Sequence, residues 1–190
     1  MFECDRGGDV TFHGPGQLVA YPIFDLHGFP SKQGKSLGAI EFVRHLEKVL
    51  IRTCALFDIS AEPVPGLTGV WTREQGEKPQ AKIAAIGVHI SRGVTSHGFA
   101  LNVNTDLDYF SLIVPCGITS KPVTSMEKES GGKLDFQQVM VADLRSFGEV
   151  FETAVEFVDN LRELGRKVGV PMRRPVEFER LHQEEESFWA

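Results

Sequence analysis

A chain of 190 residues, 42% hydrophobic and 24% charged, has the composition of a globular protein with material for one core. Its formal charge of −6 argues against general nucleic-acid binding, which needs positive surface to meet phosphates. Cys4, Cys54 and Cys116 are odd in number and widely spaced, which excludes a disulfide framework or a zinc cluster of familiar spacing.

No run reaches the roughly 20 apolar residues of a membrane span, and the first residues lack the basic-then-apolar pattern of a secretion signal, so a cytoplasmic location is expected. Residues 1–5 read as the stump of a strand or an incoming loop. Val10 to His13 is β-prone, and Gly14-Pro15-Gly16 forces a turn whose glycines let the backbone pass close to a ligand. Leu18 to Leu26 reads as a buried strand. Gly28 and Gly34-Lys35-Ser36 imitate a phosphate-binding loop, but with the wrong spacing between the glycines.

Ser36 is the expected N-cap of a helix whose apolar face is Leu37, Ile40, Val43, Leu46, Leu50, Cys54 and Phe57. Cys54 on that face reads as a packed thiol. A strand over Leu67 to Trp71 and a polar hairpin loop over Thr72 to Gln80 lead to two further strands, Lys82 to Ile90 and Val94 to Asn104, joined by Ser91-Arg92-Gly93. Alternation puts Ile83, Ala85, Gly87 and His89 on one face of the first, and Gly98, Ala100 and Asn102 on one face of the second. Such small residues leave either a slot for an extended chain or room for a closely packed helix.

Asp106 to Val114 leads to the Pro115-Cys116-Gly117 corner, where a thiol is presented rather than packed away. Thr119 to Ser130 reads as loop. Asp135 with Gln138 forms a capping-box signal for a last long helix, with Phe136, Val139, Met140, Leu144, Phe147, Phe151 and Ala154 inward. Beyond Val158 the chain is charge-rich, and Arg166, Lys167, Arg173 and Arg174 read either as a basic patch or as a solvated tail.

A thiolate is the attacking form of cysteine and is favoured near a lysine ammonium, so Cys116 and Lys82, if neighbours, form an activated nucleophile. From the residues alone, Lys82 reads as a strand-edge surface lysine. His13, His89 and His97 fit no familiar metal spacing.

Four ordered stretches then resemble the lipoyl(octanoyl) transferases: Arg6-Gly7-Gly8-Asp9-Val10-Thr11-Phe12-His13-Gly14-Pro15-Gly16-Gln17, Lys82-Ile83-Ala84-Ala85-Ile86-Gly87-Val88, Ser96-His97-Gly98-Phe99-Ala100-Leu101-Asn102, and Pro115-Cys116-Gly117. The resemblance runs from about residue 5 to about residue 157. It implies a single α/β domain, a mixed and largely antiparallel sheet packed by amphipathic helices, as in biotin and lipoate protein ligases. Residues 1–157 would be the catalytic domain and 158–190 a charged extension. Family members carry several dozen residues ahead of the Arg-Gly-Gly motif where this chain has five, so strands and part of the pocket wall supplied by that segment are expected to be missing.

The activity implied is transfer of an octanoyl group from octanoyl-acyl carrier protein, through a thioester on Cys116, to the lysine ε-amine of lipoyl domains in 2-oxoacid dehydrogenase complexes and of the glycine cleavage H protein. Lys82 would pair with Cys116. Arg6, Gly7, Gly8, Asp9, Val10, Thr11, Phe12, His13, Ala85, Ile86, Gly87, Gly98, Phe99 and Ala100 would bind substrate, and His97 would orient the dyad or the thioester carbonyl. No metal, nucleotide or other cofactor, nucleic acid or membrane is implied. The rivals are an ATP-dependent lipoate or biotin ligase, which needs no nucleophilic cysteine, and a non-catalytic remnant that binds acyl carriers.

Overall fold

The computed structural model describes residues 6–8, 10–29, 36–74, 76, 78–113, 121–158 and 160–169. Two compact units divide the chain, Met1–Ala154 and Val155–Ala190. The larger is built on a five-stranded sheet of β1 (Gln17–Ala20), β2 (Ala61–Val64), β3 (Leu67–Thr72), β4 (Lys82–Ser91) and β5 (Val94–Asn102), in the order β1-β5-β4-β3-β2. Every pairing of these strands is antiparallel, and Lys82 makes one isolated parallel bridge to Val123.

Helix α1 (Ala39–Ala55) lies against β2, β3 and β4, and α3 (Phe136–Phe151) packs on α1. Phe42, Leu46, Val49, Leu50 and Cys54 of α1 are fully buried, joined by Val139 and Phe151 of α3 and by Val70, Ile83, Ala84 and Leu101 of the sheet. Phe24, Phe42, Phe147 and Phe151 interlock in this core, the last two with ring centroids 4.4 Å apart. Asp135 caps α3 as its sequence predicts, accepting hydrogen bonds from the Gln137 and Gln138 N–H groups. Helix α1 begins later than predicted. Gly38, not Ser36, is its N-cap, and this phase exposes Ile40 while turning Phe42 and Val49 inward.

Several expectations fail for local reasons. The Leu18 to Leu26 strand ends at Ala20, because Pro22 has no N–H to give a ladder and the Thr95 hydroxyl takes over, donating to the Pro22 carbonyl at 2.7 Å and accepting from the Phe24 N–H. Val10 to His13 forms no strand. Strand β2 escapes the sequence reading because Pro63 interrupts it, which an edge strand tolerates. A short helix α2 (Met126–Ser130), capped by Ser125, occupies part of the predicted loop, and a 3-10 helix spans Leu107–Leu112. At Gly16 (φ 81°) the close approach is to the protein's own chain, since a Cβ there would lie 2.2 Å from the Asn104 carbonyl oxygen.

The smaller unit contains helix α4 (Leu161–Val168), capped by Asn160. Lys167 pairs with Glu156 there, while Arg173 and Arg174 lie outside the described residues. Among the described residues no helix is long and apolar enough to cross a membrane.

Candidate active site

Lys82 opens β4, and its register explains its position. Trp71 pairs with Lys82 while Val70 pairs with Ala84, so Ile83 is an extra residue opposite the Val70-Trp71 step, a β-bulge. The bulge breaks the simple alternation read from the sequence. Ile83 joins Ala84 in the core instead of sharing a face with Ala85 and Gly87. Lys82 is left to line a small cavity with Ala85, Ala100, Asn102, Gln17 and Phe110.

The reading of Lys82 as a surface lysine does not hold, for it is only 7% exposed. Its ammonium nitrogen sits 5.2 Å from the centroid of the Trp71 ring, a cation–π arrangement. Its main chain is clamped on the other side. The Lys82 N–H donates to the Pro122 carbonyl at 2.8 Å, and the Thr124 N–H donates to the Lys82 carbonyl at 2.9 Å. The stretch from Pro122 to Thr124 is thereby stitched to the lysine.

Beside this lies a larger cavity of about 470 Å³, within the range of small-molecule sites. Three sequence stretches meet in its wall. Arg6, Gly7, Gly8, Val10, Thr11, Phe12 and His13 come from the first, Ala85, Ile86 and Gly87 from β4, and His97, Gly98, Phe99 and Ala100 from β5. A further cavity of about 370 Å³ shares Gly7, Gly8, Ile86 and Gly87 with it and reaches Lys82.

The facing glycines do a job that neither sequence alternative named. A Cβ on Gly87 would lie 2.7 Å from the Gly7 carbonyl oxygen, and one on Gly98 would lie 2.1 Å from that of Ala20. They admit main chain, not a helix. The Gly7 N–H donates to the Val88 carbonyl at 3.1 Å, so the Arg6-Gly7-Gly8 turn is held on β4 at the cavity edge.

His97 has a φ of 58° inside β5, a left-handed conformation rare for a residue with a side chain. Its ring stands edge-to-face with Tyr21, centroids 6.2 Å apart. Phe12 stacks on Tyr109 at 5.0 Å and meets Phe110 edge-on at 5.4 Å. Cys116 and Asp9 lie outside the described residues. Tyr21, Gln17 and Trp71 also belong to these cavity walls or to the Lys82 contact, and the sequence reading assigned them no role there. A polar Gln17 heading an apolar strand was the one visible signal.

Comparison with known proteins follows the same stretches. The model of the lipoyl protein ligase A/B catalytic domain matches residues 1–148. An octanoyltransferase of Koribacter versatilis is 56% identical over 186 residues, 97% of this chain and 71% of that protein. One from Myxococcus xanthus is 50% identical over 153 residues, 80% of this chain and 41% of the relative. The structure of an archaeal bi-partite lipoate protein ligase and its E2 lipoyl domain from Thermoplasma acidophilum gives a TM-score of 0.61 at 19% identity, a likeness of fold. That match covers 86% of this chain and 63% of the other, so the chain spans less than two thirds of that ligase.

Proposed function

The chain belongs to the lipoyl protein ligase A/B catalytic domain family, and from that premise we propose that it is an octanoyltransferase of lipoate biosynthesis. It takes an octanoyl group from the thioester of octanoyl-acyl carrier protein onto Cys116. It then passes the group to a lysine ε-amine on a lipoyl domain of a 2-oxoacid dehydrogenase complex or on the glycine cleavage H protein. The transfer chemistry is assigned to residues 1–157. A reducing cytoplasm suits it, because a free thiol is then kept free.

The observation that carries the reading is the meeting of the Arg6–His13, β4 and β5 stretches around one cavity, next to a buried Lys82. Cys116 stands a short way upstream of Pro122, whose carbonyl accepts from the Lys82 N–H. At about 3.5 Å per residue, the covalent chain keeps Cys116 within about 21 Å of Pro122.

In the first half, the Cys116 thiolate attacks the thioester carbonyl, and the carrier's sulfur leaves with the electron pair of the broken C–S bond. Lys82 supplies positive charge beside the sulfurs, where negative charge gathers. Phe12, Tyr21 and Phe99 give the cavity an apolar wall for the acyl chain to lie on.

Incubation with octanoyl-acyl carrier protein and intact-mass measurement tests the proposal. An octanoyl adduct is expected on the native chain and none on Cys116→Ala. Labelling that instead requires ATP and free octanoate would make the chain a ligase. Tight binding of the carrier without any adduct would make it a binding remnant.

A further inference from the structure

Helix α1 carries a carboxylate on the side that packs against the sheet. Glu47 is 1% exposed, and it follows Val43 by four residues and precedes Leu50 by three, so it shares their helix face. A charge in that position is costly unless its oxygens have partners. Glu47 Oε2 accepts from Nη1 of the half-exposed Arg44 at 2.6 Å, and Oε1 accepts from the Gly69 N–H at 3.3 Å.

Gly69 is the unusual residue of β3. Its φ of 117° is one that a side chain rarely tolerates. It also lies between two slips of register, one against β2 between Glu62 and Val64 and one against β4 between Val70 and Trp71. The second slip is the bulge that leaves Lys82 lining the cavities. A Cβ on Gly69 would lie 2.6 Å from the Ala84 carbonyl oxygen, 2.9 Å from Lys82 Cε and 3.6 Å from Lys82 Nζ. The end of the lysine side chain therefore rests against the bare main chain of Gly69, with the Trp71 ring as its other neighbour on β3.

We propose that Glu47 is a positioning residue for Lys82. Its carboxylate fixes the Gly69 main chain, the missing side chain of Gly69 gives the lysine stem its seat, and the ammonium is delivered to one place beside the cavities. The use made of Lys82 rests on the octanoyl-transfer reading, whereas its placement rests on the contacts of Glu47, Gly69 and Lys82 alone. Glu47 is absent from the lining of all three cavities that adjoin Lys82 or the Arg6-Gly7-Gly8 turn, so it acts through Gly69 and not on substrate. An amide oxygen at position 47 keeps an acceptor for the Gly69 N–H. An apolar side chain there leaves that buried N–H unpaired.

Proton NMR of the native chain reads the seat directly, and needs no variant to fold. A through-space contact between the Gly69 α-hydrogens and the Lys82 ε-hydrogens is expected. Glu47→Gln is expected to keep the contact, and Glu47→Leu to lose it while the remaining core signals stay. In acyl-enzyme formation, Glu47→Leu is expected to lower kcat by about tenfold or more with KM for the carrier substrate little changed, and Glu47→Gln to recover most of that loss. Absence of the contact in the native chain overturns the proposal. So does an intact contact or an unchanged kcat in Glu47→Leu, a loss confined to KM, or a glutamine variant that behaves as the leucine variant does. A native chain that forms no acyl-enzyme, yet shows the contact and its dependence on Glu47, sinks the transfer reading and leaves the positioning of Lys82 standing.

Discussion

Lys82 and Trp71 are register partners across β4 and β3, and the same indole that faces the Lys82 ammonium at 5.2 Å has Lys121 Nζ 5.7 Å from its centroid. Trp71 is fully buried, and among the described residues its Nε1 finds no hydrogen-bond acceptor. The ring's faces, not its N–H, are what the site uses. Trp71→Phe keeps a face for the cations and removes the unpartnered N–H, so it is expected to cost much less than loss of the ring. Trp71→Ala leaves a cavity under Lys82 and should cost about 3–5 kcal/mol. Urea unfolding of both variants checks this, alongside the rate of acyl-enzyme formation, which should fall further in the alanine variant. Equal stability of the two would remove the ring from the account.

The main chain crossing Gly98 gives a second prediction. The backbone of Gly98 is not left-handed, so alanine is excluded by space alone, with the Ala20 carbonyl at 2.1 Å and the Pro22 ring at 2.6 Å from a new Cβ. Gly98→Ala is expected to destabilise by about 1–3 kcal/mol through displaced backbone. At Gly87 the obstacle is the Gly7 carbonyl and the Arg6 side chain. Gly87→Ala should therefore unseat the Arg6-Gly7-Gly8 turn and raise KM for the carrier substrate more than it lowers the melting temperature. A melting loss as large as that of Gly98→Ala with an unchanged KM would contradict this.

What the sequence disclosed follows from which interactions are local. The α3 start was legible because Asp135 bonds the N–H groups of its own first turn. The β4–β5 hairpin was legible because Ser91-Arg92-Gly93 punctuates two alternating runs, and the register from Ala84↔Leu101 to Ser91↔Val94 is unbroken. The bulge at Ile83 was not, because it depends on how β3 meets β4 and no residue type announces it. Glu47 is no part of the apolar face read from the sequence, yet it is buried. It accepts from Arg44 at 2.6 Å and from the Gly69 N–H at 3.3 Å, a partner distant in sequence. Gln17 and Asn102 were visible as polar residues in apolar strands, yet their bond to each other required the β1–β5 register.

Thiol reactivity should separate the cysteines. Burial and the neighbouring Asp143 carboxylate push the Cys54 thiol up to about 12, so almost none of it is thiolate at pH 8. Iodoacetamide at pH 8 is expected to modify Cys116 in the native chain and to leave Cys54 untouched until denaturant is added. Peptide mapping with and without denaturant reads the difference. Native-state alkylation of Cys54 at the Cys116 rate would contradict the buried placement on α1.

Asp143 makes stability depend on pH. It is buried on α3, accepts a hydrogen bond from the Thr53 hydroxyl at 3.2 Å, and burial raises its carboxyl from 3.8 to about 7. The folded chain therefore holds a proton that the unfolded chain has already released. Between about pH 4 and 7 the native state binds more protons, so unfolding free energy falls as pH rises through that window. Below it this loss is absent, and above it the loss is complete. Asp143→Asn keeps an acceptor for Thr53 and cannot ionise. It is expected to match the native chain near pH 4 and to exceed it at pH 8 by more than about 1.4 kcal/mol, the worth of one pH unit. Urea unfolding at the two pH values decides the matter, since a parallel fall in both proteins would place the titrating group elsewhere.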